Sequence, residues 1–194
     1  MNRKAIGVVL LLPPAEEAKA VKVNRSLTGT SNTAILLGSG EGIPHISLAM
    51  GAIKDDELPQ LFQALKNLGA GKSWTIEVDK LHQKQKATEA LNSWNIVLTP
   101  ALLELHNAIM QLYPPLIEEA KPEMLIQNQP IGEGTLHWIK NYKQESAGSN
   151  FWPHITLGYG SLAQPFEPFT FQTNRLAVCH LGNRCTCQEI LWEL

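Results

Sequence analysis

The spacing of apolar and polar residues changes period several times along the chain, and each change marks an element. Ile6 to Leu12 is an apolar run stopped by Pro13-Pro14, as expected of a buried strand. Ala15 to Ser26 is rich in helix formers, with Ala18, Val21 and Leu27 near helical spacing. Thr28 to Thr33 is turn chemistry, and Ala34 to Leu37 reads as a short apolar strand. The flexible loop Gly38-Ser-Gly-Glu-Gly42 then leads through Pro44 into a strand from His45 to Ile53. Asp55-Asp56 is placed to cap a helix to about Leu68, with Leu58, Leu61, Phe62, Leu65 and Leu68 as its apolar stripe and Gly69 and Gly71 at its end. Ser73 to Leu81 alternates Trp74, Ile76 and Val78 with Thr75, Glu77 and Asp79, the period of a half-buried strand.

The second half is expected to open with a strand from Trp94 to Thr99, followed by a helix begun at Pro100, lined by Leu102, Leu105, Ile109 and Leu112, and running to Tyr113. Pro114-Pro115 breaks it, Leu116 to Ala120 reads as a helical turn, and Thr135 to Lys143 as a further helix. After the loop Ser146 to Asn150 come strands at Pro153 to Gly160, Phe169 to Thr173, Leu176 to His180 and Cys185 to Leu194, with a hairpin turn at Leu181 to Arg184. No polar linker divides the chain, so two packed lobes of one domain, about 1–90 and 91–194, are expected.

Composition narrows the partners. With 44% hydrophobic and 18% charged residues the chain is ordinary globular material, neither disordered nor collagen-like. A net charge of −2 leaves no broad basic surface for duplex nucleic acid, so a nucleic-acid ligand must be small or held locally. The start, Met1 to Leu12, mimics a signal peptide, but Pro13-Pro14 and Glu16-Glu17 stand where a cleavage site would fall, which favours the strand. No run approaches the roughly 18 apolar residues of a membrane span. Cys179, Cys185 and Cys187 form an odd, clustered set that makes a poor disulfide framework, so a reducing cytoplasm is expected. Cys179, His180, Cys185 and Cys187 do not have zinc spacing.

Candidate chemistry lies in a repeat. Pro44-His45-Ile46-Ser47-Leu48 returns as Pro153-His154-Ile155-Thr156-Leu157. On a strand, each His shares a face with the hydroxyl two residues on, about 7 Å away, while Ile and Leu face the other side. Two imidazoles with ordinary pKa near 6.5 can hold complementary protonation states, one accepting a proton and one donating it, while hydroxyls donate to phosphate oxygens where charge builds. In-line attack on a phosphodiester requires this set, and it requires neither metal nor cofactor. The plain alternative is two satisfied strand histidines beside packed hydroxyls.

The paired motifs resemble the two His-x-(Ser/Thr) signatures of the two-histidine phosphoesterase superfamily, which includes 2′-5′ RNA ligase-like proteins and cyclic phosphodiesterases. The resemblance spans the whole chain. It implies an α+β bilobal fold with pseudo-twofold symmetry, two antiparallel-rich sheets flanked by helices, and a central cleft floored by both motifs. It also implies metal-independent acid-base catalysis by His45 and His154, phosphate contacts from Ser47 and Thr156, and a nucleotide or RNA terminus with a cyclic phosphate as substrate. Cleavage or joining of 2′-5′ linkages, and a non-catalytic RNA-end-binding module, are the alternatives. A monomer is expected.

Around the second motif, Phe151, Trp152 and Tyr159 are candidates to stack on a base, with core packing as the plain alternative. Arg175, Arg184 and Lys143 are candidates to attract phosphate, with solvated charge as the default. His82, His106 and His137 read as surface or satisfied residues.

Overall fold

The computed structural model describes residues 2–29, 34–85, 89–112, 119–162 and 165–194. Eight strands form one antiparallel sheet: β1 (Arg3–Leu11), β2 (His45–Lys54), β3 (Trp74–Gln85), β4 (Ala90–Ile96), β5 (His154–Tyr159), β6 (Phe169–Thr173), β7 (Leu176–Leu181) and β8 (Cys187–Glu193). Four helices flank it: α1 (Pro14–Ser26), α2 (Leu58–Gly69), α3 (Pro100–Gln111) and α4 (Glu133–Glu145). The strand order is β6-β3-β4-β5-β2-β1-β7-β8, so the two strands that begin at the repeated histidines are the two central ones.

β2 and β5 meet through a single described pair, Ile46 opposite Ile155, whereas β1 and β2 pair along their whole length. The sheet is therefore two four-stranded antiparallel sheets, β6-β3-β4-β5 and β2-β1-β7-β8, joined at one point. The strands of the two quartets do not divide near residue 90. One quartet takes strands from 3–54 and 176–193, the other from 74–96 and 154–173. The reason is pairing: Ile6 to Leu10 of β1 bind β7 along their second edge, which draws the last hairpin back to the first strand.

One face of the sheet carries the main core, in which Leu10, Ile46, Leu48, Ile155 and Leu157 are fully buried with Leu65 of α2 and Leu102 and Ile109 of α3. Burying a side chain of this size contributes about 1.5–3 kcal/mol, which is why an alternating strand settles with these residues inward. α3 starts as expected, with Pro100 in its first turn and Thr99 Oγ1 accepting from the Leu102 amide at 3.3 Å. No helix among the described residues is long and apolar enough to cross a membrane.

Several local expectations are corrected. Ala34 to Leu37 is not a strand, because its backbone is satisfied by a side chain. Asn24 Nδ2 donates to the carbonyls of Ile35 at 2.8 Å and Leu157 at 2.6 Å, and its Oδ1 accepts from the Leu37 amide at 3.0 Å. Asp55-Asp56 make no side-chain cap; they lie in a 3-10 turn ahead of α2, whose first turn holds Pro59 instead. β3 runs on to Gln85 because β4 begins at Ala90, four residues before the expected Trp94, and pairs with that extension. Leu112 is 39% exposed rather than part of the α3 stripe. The expected features at Thr30 to Thr33, Tyr113 to Pro115 and the first three residues of Leu116 to Ala120 lie outside the described residues. The cysteines do form a disulfide: Cys179 of β7 bonds Cys187 of β8, both fully buried, and Cys185 is left free. Adjacent antiparallel strands bring two such residues to bonding distance, which clustering in sequence alone does not reveal.

Candidate active site

The single pairing between β2 and β5 builds the site. Alternation about the Ile46–Ile155 pair puts His45 and Ser47 of β2 and His154 and Thr156 of β5 on one face, at the junction of the two quartets. All four side chains therefore stand on the face opposite the main core. They are half-buried, whereas Ile46, Leu48, Ile155 and Leu157 are fully buried beneath them.

The two imidazoles are held alike. Each donates Nδ1–H to the carbonyl two residues upstream, His45 to Ile43 at 2.8 Å and His154 to Trp152 at 3.0 Å. That fixes the tautomer and leaves Nε2 of both rings to exchange protons. Burial is the main cause that lowers both pKa values from the ordinary 6.5; the backbone hydrogen bond opposes it, and a neighbouring histidine adds to it, His154 for His45 and His82 for His154. Two mutually repelling imidazoles take up their protons in succession, so a state with one charged and one neutral ring has its own pH range.

Neighbouring strands extend the same face. Asn95 of β4 pairs with His154 and Ser93 with Thr156, and on β3 Lys80 and His82 pair with Asn95 and Ser93. Trp152 stands over this end. Its ring stacks on His154 at 4.2 Å and 19°, meets His82 edge-on at 4.8 Å, and donates its indole N–H to Asn95 Oδ1 at 2.6 Å; Asn95 Nδ2 in turn donates to Asp79 Oδ1 at 2.6 Å. Tyr159 lies on the same face at the other end, beyond a bulge, opposite Leu91 and hence in line with Lys84. The Arg184 guanidinium sits 5.1 Å from its ring centre.

The remaining candidates lie elsewhere. Phe151 is buried against His106, the rings parallel at 3.9 Å, and is closed to a base. Arg175 is engaged by Glu193 at 2.7 Å and the Leu12 carbonyl at 2.6 Å. Lys143 is exposed on α4, as is His137, which contacts Glu145. His180 contacts the Met124 carbonyl, away from the Cys179–Cys187 bond.

Three contributing residues were not legible in the sequence. His106, fully buried on α3, donates Nδ1–H to the Leu48 carbonyl at 2.7 Å and accepts the Gly148 amide on Nε2 at 3.0 Å, so it ties the first motif strand to the loop that delivers the second. Asp79 and Asn95 anchor Trp152 although nothing in their spacing relates them to it.

No family model and no curated protein matches the chain. Among solved structures it is similar over 98% of its length to TT0787 of Thermus thermophilus, covering 96% of that chain, at 14% identity and a TM-score of 0.58. It is similar over 100% of its length to E. coli LigT complexed with 3′-AMP, covering 99% of that chain, at 15% identity and a TM-score of 0.54. A structure described as a phosphoesterase matches over 98% of both chains at 16% identity and a TM-score of 0.52. The chain has the fold of TT0787, of LigT and of the structure described as a phosphoesterase, the α+β architecture that the resemblance to two-histidine phosphoesterases implied.

Proposed function

We propose that the protein is a metal-independent phosphoesterase that opens a cyclic phosphate, such as a 2′,3′-cyclic phosphate, at the end of a nucleotide or RNA. The observation that carries this reading is the Ile46–Ile155 pairing, which puts two tautomer-fixed imidazoles and two hydroxyls on one face. Water attacks phosphorus while a neutral imidazole takes its proton. The P–O bond to one ribose oxygen breaks, and the charged imidazole protonates that oxygen, giving a phosphomonoester and a free hydroxyl. Ser47 and Thr156 donate to the non-bridging oxygens as charge builds on them. The LigT structure with 3′-AMP lends support, because 3′-AMP is one product of opening adenosine 2′,3′-cyclic phosphate.

The enzyme acts as a monomer in the cytoplasm on this reading. The Cys179–Cys187 bond is compatible with that compartment, since both residues are fully buried and closed to soluble reductants while the sheet is folded. The test is turnover by wild type, His45→Ala and His154→Ala in EDTA, on 2′,3′-cyclic nucleotides and on 2′-5′ linked oligonucleotides. Turnover of the cyclic substrate that each substitution lowers by at least about a hundredfold is expected. Preference for the 2′-5′ linkage would move the assignment to that bond, and binding without turnover would leave a non-catalytic module.

A further inference from the structure

The turn between β7 and β8 holds Arg184 and Cys185 at φ 58° and 56°, in the left-handed region that favours glycine. The surrounding hydrogen bonds hold it there. Buried Asn183 Oδ1 accepts from the Gly132 amide, the Thr135 hydroxyl and the Arg184 amide, and the Arg184 amide also donates to Thr135 Oγ1 at 2.8 Å. Disfavoured backbone persists where neighbours over-determine it, and such sites cluster where a side chain must be aimed. Here the aimed side chain is a cation that crosses between the quartets: Arg184 Nη1 donates to the Tyr159 hydroxyl at 3.3 Å, with the guanidinium over the ring. Arg3 and Arg175 are neutralised by Glu119 and Glu193, but Arg184 is exposed and meets no carboxylate at ion-pair distance among the described residues. Tyr159 follows Thr156 along one face of β5, and exposed Lys84 stands in line with it two strands away.

We propose that Arg184, with Tyr159 and Lys84, forms a subsite for a second phosphate of the substrate, one that is bound and not cleaved. The inference rests on the phosphoesterase reading and narrows it to substrates carrying a phosphate beyond the scissile one. Three strand positions separate Thr156 from Tyr159, roughly 10 Å, so the second group is a neighbour of the reacting phosphate on the same molecule. A guanidinium whose hydrogen-bond partner among the described side chains is a neutral hydroxyl exchanges it for a phosphate with gain, since charge-assisted bonds are about twice as strong. Either a nucleotide 5′-phosphate or the internucleotide linkage of an RNA end supplies this chemistry.

The test compares adenosine 2′,3′-cyclic phosphate, the same nucleotide with a 5′-phosphate, and a dinucleotide ending in the cyclic phosphate. Wild type is expected to prefer one or both of the latter two in kcat/KM, and the preferred one identifies the source. Arg184→Ala should lower kcat/KM for the preferred substrate about 10–100-fold more than for the plain cyclic nucleotide. Arg184→Gly should lose the same preference while its Tm equals or exceeds wild type, because glycine relieves the backbone; this separates lost binding from lost folding. Equal loss on all substrates, or no preference in wild type, overturns the subsite. If wild type turns over none of the three, the phosphoesterase reading has failed by itself, and calorimetry decides the subsite. Adenosine 3′,5′-bisphosphate should then bind more tightly than adenosine 3′-phosphate to wild type and not to Arg184→Ala, and equal affinities for wild type reject it.

Discussion

The Trp152 indole lies stacked on the His154 imidazole, ring centres 4.2 Å apart, and is itself anchored to Asn95 by its N–H. An exposed aromatic beside a candidate site suggests a platform for a base, yet one face of this ring is already occupied by the histidine. The indole is still 42% exposed, so its other face is open to a base; on the proposed function the occupied face positions His154 and shields it from water. Trp152→Ala should lower kcat/KM for a cyclic phosphate by about 10–100-fold, the scale of a misplaced reacting group. It should also raise the His154 pKa toward its ordinary value by admitting water, a shift read from its NMR titration. Trp152→Phe keeps a ring on His154 and should recover most of the activity.

The histidine environments set the pH dependence. Both pKa values lie below the ordinary 6.5, so the form with one ring charged exists on the acid side of that value. The kcat/KM profile, which reports the free enzyme, is expected to be a bell centred below pH 6.5 and unchanged by EDTA. A bell centred well above pH 7 would contradict this pairing.

Ser47 and Thr156 share the face of the two histidines, and on the proposed function removing either hydroxyl takes a donor from the phosphate. Thr156→Val, which keeps shape and loses the donor, should cut kcat by about 10–100-fold with a smaller change in KM. Ser47→Ala should act in the same direction, measured under the same conditions.

His106 makes folding stability depend on pH. Burial lowers its pKa from 6.5, and the unfolded chain binds the proton more readily, so its contribution is fully present above about pH 6.5 and is lost as pH falls from there toward the folded value. Its Nε2 must stay unprotonated to accept the Gly148 amide. Urea midpoints should therefore fall between pH 7.5 and pH 5. His106→Ala should cost about 2–4 kcal/mol at pH 7.5, by leaving the Leu48 carbonyl and Gly148 amide unpaired and a void beside Phe151.

The Cys179–Cys187 bond closes a short segment with a sequence separation of 8, for which chain entropy gives roughly 2.5 kcal/mol of stabilisation. Cys187→Ser should lower the unfolding free energy by about that amount. The effect should reach the site, because the Cys187 carbonyl accepts the Ile43 amide at 2.8 Å and the Ile43 carbonyl holds the His45 ring.

The sequence by itself determined the elements and the repeat, because alternation along a strand, apolar spacing along a helix, and proline or glycine at the ends act within a few residues. Trp74, Ile76 and Val78 are buried as their alternation requires, and α3 begins at Pro100 behind Thr99. Local rules failed where a distant group supplied the partner: Asn24 takes the hydrogen bonds that would have made 34–37 a strand, and the β7–β8 pairing joins cysteines whose spacing suggested none. Tertiary structure alone decided that β2 and β5 are neighbours, that Ile46 meets Ile155, and hence that both motifs turn their histidines and hydroxyls to one face at that junction. Register between strands more than a hundred residues apart is set by the packing of Ile46, Leu48, Ile155 and Leu157 into one core. A shift of one residue would turn the two of the displaced strand outward, so the buried face holds the histidines on the opposite one.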